Sequence, residues 1–242
     1  MTYELYYWPG IQGRGEFVRL ALEEAGIDYV NVARDKHGEE SAEKKLLKFM
    51  GDPGLVHPPF APPVLKAGEL VIAQTANILM FLGEKHGLAP ADEGGRLWTH
   101  QLQLTITDWV AEVHDAHHPL GPTEYYEDQK TEARKRTALF LEQRLPKYMG
   151  YFEKVLQQNS SGNRLLVGDI LSYPDLSLFQ VVEGLCYAFP RNLSRLEGNY
   201  PEIMALHDYV RRRPRVAAYL DSGRRMAFNE DGLFRHYPEL DT

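Results

Sequence analysis

Aromatic strand formers open the chain. Tyr3-Glu4-Leu5-Tyr6-Tyr7-Trp8 runs straight into the breaker Pro9-Gly10, which predicts a short, well-buried strand over 3–8. Val18, Ala21, Leu22 and Ala25 then fall at i, i+3, i+4 and i+7, and Gly26 stands where a helix C-cap takes a left-handed residue, so 14–26 reads as an amphipathic helix. Tyr29-Val30-Asn31-Val32 supplies a second strand. Strand, helix and strand within some thirty residues make a right-handed crossover between parallel strands. The stretch 34–63 is polar early and rich in Pro and Gly late, with one helix expected at 41–50. Val64-Leu65-Lys66 and Glu69-Leu70-Val71-Ile72 flank Ala67-Gly68, a two-residue hairpin connection. Ile78, Leu79, Phe81 and Leu82 mark a helix ending near Gly87. The first 88 residues thus read βαβ, a variable segment, then ββα: a four-stranded sheet with helices.

The period changes after 88. Residues 89–95, with Pro90, Gly94 and Gly95, form the best linker in the chain. Beyond it helical periodicity covers 96–114, 127–159, 174–189, 200–212 and 215–220, broken by Pro, Gly, Asn and Ser clusters. The expected architecture is an α/β domain over 1–88, a linker, and an all-α domain over 96–242. Ser172 and Asp175 have the spacing of a reciprocal capping box, with Leu171 and Leu176 placed to staple it.

Composition narrows the chemistry. In 242 residues, 27 Lys and Arg stand against 34 Asp and Glu, and a net charge of -7 tells against nucleic acid or acidic lipid as a partner. No apolar run approaches the ~20 residues of a membrane span, and the N-terminus carries a strand pattern rather than a leader, so a cytoplasmic protein is expected. The single Cys186, on an apolar helix, reads as a small buried residue. Any thiol chemistry must therefore use a thiol from outside.

The loop Gly10-Ile11-Gln12-Gly13-Arg14-Gly15 leads from the first strand into the first helix, where backbone N–H groups and the positive helix end gather. It lacks the Lys-Ser/Thr ending of a phosphate loop, the dinucleotide spacing and a Cys-x-x-Cys pair. Tyr7 and Arg14 are the functional groups left beside it. Taken together and in order, Tyr7-Trp8-Pro9, Gly13-Arg14, Pro62-Pro63, Gly68, Gln74-Thr75, Asp108, Gly168-Asp169, Ser172 and Asp175 resemble the cytosolic glutathione transferases of the tyrosine-type classes, alpha-, mu-, pi- or sigma-like. The resemblance runs from Met1 to about Tyr219. It implies a thioredoxin-like N-terminal domain, a helical C-terminal domain with an electrophile pocket, glutathione as co-substrate, and a homodimer.

The resemblance also implies roles. Tyr7, rather than Tyr6, matches the tyrosine that donates its hydroxyl to the glutathione sulfur, with Arg14 beside it; Trp8 joins the glutathione-binding set. Gln74-Thr75 resembles the Gln-Ser pair that grips the γ-glutamyl group, and Asp108 matches an acidic residue that reaches the glutamyl amine, in some relatives from the neighbouring subunit. Pro63 matches the family's cis-proline. The residue before it pairs with the cysteinyl unit through both N–H and C=O, and here it is Pro62, which has no N–H. The family's Lys and Trp between the second strand and the cis-proline have no clear counterpart; Lys44, Lys45 and Lys48 are equal candidates. Trp8, Ile11, Gln12, His118, Tyr125 and Tyr126 are expected at the electrophile pocket.

His114, Asp115, His117 and His118 have a metal-like look, but no second cluster completes a site, and a polar pocket wall is expected without metal. Arg211, Arg212, Arg213 and Arg215 read as a solvated helix end. The aromatic tail 226–242 is placed to pack over the pocket mouth. Conjugation of glutathione to a hydrophobic electrophile is the expected reaction; a glutathione-dependent isomerase or peroxidase, or a non-catalytic protein on the same scaffold, is the alternative.

Overall fold

The computed structural model describes residues 2–34, 40–121, 123–161 and 164–242; Met1 and the early polar stretch 35–39 of the expected first domain lie outside them. The first half carries β1 (Tyr3–Tyr6), α1 (Gly15–Ala25), β2 (Tyr29–Asn31), α2 (Ala42–Met50), β3 (Val64–Ala67), β4 (Leu70–Ala73) and α3 (Thr75–His86). The sheet order is β2-β1-β3-β4. β1 runs parallel to β2 with Tyr3 beside Tyr29, and antiparallel to β3, which pairs in turn with β4. This is the expected mixed sheet. Ala67 faces Leu70, so the hairpin turns on Gly68-Glu69, one residue later than the pattern suggested.

The period of two along β1 sorts its side chains. Tyr3 and Leu5 are buried on the face covered by α3, where Tyr3 meets Phe81 edge-on at 6.2 Å and its hydroxyl lies 2.9 Å from His86 Nε2. On the other face Tyr6 stacks on Phe49 of α2 at 4.2 Å. α1 starts where the loop ends and stops at Gly26, whose left-handed backbone donates to Glu23 O. Residues 15–24 are all buried, because α1 lies between α3 and helices of the second half.

That half consists of α4 (Glu93–His117), α5 (Lys130–Leu139), α6 (Leu145–Gln158), α7 (Tyr173–Ala188), α8 (Pro190–Leu196), α9 (Pro201–Arg211) and α10 (Pro214–Leu220). α4 begins inside the stretch expected as linker. The Asp92 side chain caps it by accepting from Gly95 N at 2.7 Å, so Gly94 and Gly95 belong to its first turn. The predicted helix 127–159 is divided by a π turn at Phe140–Arg144, just ahead of Pro146, which has no N–H for the helical ladder. α8 was not anticipated. It follows Phe189 directly with Pro190 as its first residue, and the Asp241 carboxylate accepts from its Arg191 and Asn192 N–H groups at 2.8 and 3.1 Å. The capping box forms as predicted: Asp175 accepts from Ser172 N at 2.7 Å, Ser172 Oγ at 2.6 Å and Leu166 N at 2.8 Å.

The reading of one residue is corrected. Cys186 is exposed, although on α7, and its thiol is pushed up to about 11 by desolvation and by Glu183 and Glu197, so it stays protonated. The arginine run is a largely exposed helix end, as expected, with Arg211, Arg212 and Arg215 exposed and Arg213 half-buried, but its cations also find partners. Arg213 pairs with Glu24 of α1, Arg215 donates to Glu24 O at 3.1 Å, and Arg211 pairs with Glu183 at 2.5 Å. Carboxylates on α1 and α7 recruit these cations, a long-range pairing that a local charge run does not reveal.

Candidate functional site

β1 ends at Tyr6, and continuing its alternation puts Tyr7 on the α1 side. There Tyr7 is 6% exposed, and its hydroxyl oxygen accepts from the Arg14 backbone N–H at 2.7 Å. The ring lies under the loop that joins β1 to α1. A Cβ on Gly13 would sit 2.2 Å from the Tyr7 hydroxyl oxygen, and one on Gly15 would sit 2.7 Å from Tyr7 Cγ. Gly13 also has φ +48°, so both glycines are required by the close approach. Burial pushes the phenol pKa up, while the Arg14 N–H and the Arg14 and Arg19 charges pull it down; the net direction is up. Tyr7 is therefore a neutral phenol at pH 7. With its oxygen engaged by Arg14 N, its own O–H is left to donate.

Arg19 is a residue that sequence reasoning missed. Its guanidinium carbon lies 5.7 Å from the Tyr7 ring centroid. It is fully buried, with Nη1 donating to Gln12 O at 3.1 Å and to Glu16 at 3.2 Å. Glu16 accepts further from Tyr219 and Arg225, each at 3.2 Å, and Arg225 donates to Gln180 at 3.0 Å. The signal was present locally: Glu16 and Arg19 are i,i+3 partners on a helix whose neighbours are apolar. Gln12 is part of this network. Its Nε2 donates to Met226 O at 2.5 Å and its Oε1 accepts from Gln180 at 2.8 Å, so both ends of the amide are taken.

A second group of candidates sits at the start of α3. Gln74 is exposed and holds φ +69°, a conformation uncommon for a residue with a side chain. Thr75 is the first helical residue, and Gln74 occupies the cap position without a side-chain bond. The Thr75 hydroxyl is buried and has no protein partner. Thr75 and Arg14 line one small cleft together with Phe17 of α1 and Gln103, Ile106, Thr107 and Val110 of α4. Pro62 is half-buried, Pro63 is buried, and the bond between them is cis. Asp108 is exposed on α4.

The expected pocket residues do not form one group. Trp8 and Ile11 are half-buried beside the loop, whereas Tyr125 is 77% exposed. Tyr126 is buried; it stacks on Tyr237 at 3.6 Å and donates to Glu239 at 3.1 Å. His118 is buried against His117 and Arg235. Arg235 can only donate, so His118 Nε2 accepts at 3.3 Å; His118 Nδ1–H then donates to His117 Nδ1, and His117 Nε2–H to Leu233 O at 3.0 Å. Both imidazoles are spent on binding the tail. The tail also reaches the loop, Asn229 donating to Gly10 O at 2.8 Å, and packs Phe234 against Gly184 of α7. Among the described residues no group of three or more His, Cys, Asp or Glu side chains is arranged to hold a metal ion.

A mixed four-stranded sheet with a phenol just beyond the end of its first strand thus precedes helices that close on α1. The profile for the glutathione S-transferase C-terminal domain matches residues 114–223. A glutathione S-transferase of Plasmodium falciparum is 26% identical over 221 residues, covering 89% of this chain and 93% of its own. Glutathione S-transferase P 1 of Xenopus laevis is 29% identical over 227 residues, covering 92% and 93%. The structure of an Onchocerca volvulus Pi-class glutathione S-transferase superposes with a TM-score of 0.69 at 22% identity, over 91% and 93% of the two chains. Over most of its length the chain is thus similar to glutathione S-transferases, at 26% and 29% identity to these two relatives.

Proposed function

We propose that this protein conjugates glutathione to hydrophobic electrophiles in a detoxifying role, with Tyr7 holding the thiol as thiolate. The observation that carries the reading is the Tyr7 hydroxyl, fixed by the Arg14 N–H at 2.7 Å and kept neutral by burial, at the N-terminus of α1. Glutathione supplies the nucleophilic sulfur. A free thiol has pKa ~8.5, so at pH 7 most of it is unreactive. Tyr7 donates a hydrogen bond to the sulfur and so favours its anion; the Arg19 cation under the Tyr7 ring and the positive end of α1 act in the same sense. Tyr7 itself loses no proton.

The unpartnered Thr75 hydroxyl and the N–H groups of the first turn of α3 fit the carboxylate of the γ-glutamyl group, with Gln74 and the Arg14 cation beside them. Pro62 offers the cysteinyl unit a carbonyl and no N–H. Trp8 and Ile11, beside Tyr7, remain the pocket candidates with free surface at the loop. Asp108 is the acidic residue that a second copy would bring to, or receive at, the glutamyl amine. The reading includes a homodimer, since Phe60, Leu97, Trp98 and Leu104 leave large apolar side chains in solvent, three of them on α4. Sedimentation equilibrium showing a monomer at micromolar concentration counts against that part. A cytoplasmic setting fits the exposed, unpaired Cys186, and among the described residues no helix is long and apolar enough to cross a membrane.

A turnover panel tests the reaction. With an electron-poor chloroarene, a hydroperoxide and an isothiocyanate, the wild type is expected to consume free thiol with the chloroarene, and Tyr7→Phe to lose about tenfold or more in turnover at pH 6.5, as loss of a hydrogen bond to a charged group implies. Equal turnover of the two proteins refutes the role of Tyr7. Activity on the hydroperoxide alone would make the peroxidase the correct reading.

A further inference from the structure

The loop between Tyr7 and Arg14 must keep a shape that it has little means to keep by itself. The Tyr7 hydroxyl meets the Arg14 N–H at 2.7 Å, so residues 8–13 close a ring beside the site. Gly10 and Gly13 carry that ring through φ +82° and +48°, and glycine loses more conformational freedom on ordering than any other residue. Bonds from Glu16 N to Gln12 O and Gly13 O, and from Arg19 Nη1 to Gln12 O at 3.1 Å, tie its far end to the start of α1. Its near end is tied to the tail.

Asn229 Nδ2 donates to Gly10 O at 2.8 Å, and Gln12 Nε2 donates to Met226 O at 2.5 Å. Each segment gives one side-chain donor to the backbone of the other, 10 with 229 and 12 with 226, so the two run antiparallel and clamp each other at both points. Asp231 N donates to Asn229 Oδ1 at 3.1 Å, which turns the carboxamide NH2 toward the loop. The tail is itself anchored at this place. Phe228 stacks on Tyr187 of α7 at 5.0 Å, Glu230 accepts from the Tyr187 hydroxyl at 2.5 Å, and Arg225 donates to Glu16 of α1 at 3.2 Å. We propose that Asn229 is a positioning residue for the thiol chemistry assigned to Tyr7: through Gly10 O it holds the loop in the shape that keeps the Arg14 N–H on the Tyr7 hydroxyl. The tail thereby completes a site built in the first half of the chain. The proposal rests on the reading of Tyr7 as the partner of the thiol. Groups that do chemistry must be held to within about half an ångström, and a loop released at Gly10 loses that precision while the fold remains.

Asn229→Ser tests the assignment, since serine can still accept from Asp231 N but is too short to reach Gly10 O. Two quantities are read on the full chain: the thiol pKa of bound glutathione, from thiolate absorbance, and kcat/KM for an electron-poor chloroarene against pH at saturating glutathione. Asn229→Ser is expected to raise the thiol pKa and the acid limb of the profile together by about 0.4–1 unit, and to lower kcat/KM at pH 6.5 about two- to tenfold, the range of one neutral hydrogen bond. In a Tyr7→Phe background the same substitution is expected to add nothing. Ser172→Ala, which weakens the fold away from the loop, is expected to titrate as the wild type does. Asn229→Ser titrating with the wild type, or keeping its full effect in Tyr7→Phe, overturns the proposal and leaves the role of Tyr7 in place; so does Ser172→Ala shifting as far as Asn229→Ser, because general loosening would then suffice. Tyr7→Phe titrating with the wild type overturns both readings. If Asn229→Ser fails to fold, Asn229→Ala takes its place and is judged by the same outcomes.

Discussion

A phenol that is to stabilise a neighbouring thiolate must keep its own proton, and burial of Tyr7 ensures that it does. Its position depends on two absent Cβ atoms. Gly15→Ala would otherwise favour a helix, by about 0.5–1 kcal/mol, but the new Cβ would lie 2.7 Å from Tyr7 Cγ and 3.2 Å from Arg19 Nη2. We expect Gly15→Ala to lower kcat/KM at least tenfold, about 1.4 kcal/mol of transition-state stabilisation, through displacement of the ring. Unaltered kinetics would mean that the ring's position is not what matters. Tyr7, Arg14 and Gln74-Thr75 each lie in a motif a few residues long, so the sequence can nominate them as candidates. The contacts of Gln12, Tyr126 and His118 were not legible, because their partners are remote in sequence: Met226 and Gln180, Tyr237 and Glu239, and Arg235.

Elements with local stop and start signals were read closely. α1 ends at Gly26, Ser41 caps α2 by accepting from Lys44 N at 3.3 Å, and Ser172-Asp175 starts α7. Where a proline acts against a continuous pattern, boundaries failed: Pro146 beside the π turn and Pro190 at the start of α8. Ser172→Ala removes a hydroxyl that donates at 2.6 Å to a fully buried carboxylate as well as part of a cap. The loss should be about 1–2 kcal/mol, read as a lower urea midpoint with an unchanged m-value; a midpoint equal to wild type would show the box to be idle. Because α7 packs on both α1 and α4, the cost belongs to the whole fold rather than to one helix end.

At the scale of the molecule, the second half holds the first through α1, and the tail ties both to the loop that carries the site. Arg213 and Arg215 meet Glu24, Arg224 meets Glu23, and Arg225 and Tyr219 meet Glu16. Buried titratable groups within this assembly make stability depend on pH. Burial, helped by the Arg235 and His114 charges, pushes His118 down to about 4, and burial holds His117 lower still. Both are neutral in the fold, so below pH ~6.5 the unfolded chain binds more protons and stability falls as pH drops toward about 4. Asp175 acts in the opposite sense. Burial, against the bonds from Ser172 and Leu166, holds it up at about 6, so its contribution is present below its ordinary value and is lost as pH rises to about 6. Glu183, pulled down to about 2 by His207 and Arg211 despite burial, stabilises above its ordinary value and is lost only in stronger acid. Two imidazoles outweigh one carboxyl, so the urea midpoint is expected to fall between pH 7 and 4.5, and more steeply in Asp175→Asn. A flat or rising midpoint would contradict this balance.

The central claim is that Tyr7 holds a thiolate, and the ultraviolet absorbance of the thiolate of bound glutathione measures this directly as pH is raised. The account predicts a thiol pKa near neutrality in the wild type and a rise of about 1–2 units in Tyr7→Phe, the equivalent of one hydrogen bond to a charged group. Coincident titrations in the two proteins, or a wild-type value at that of the free thiol, would contradict it.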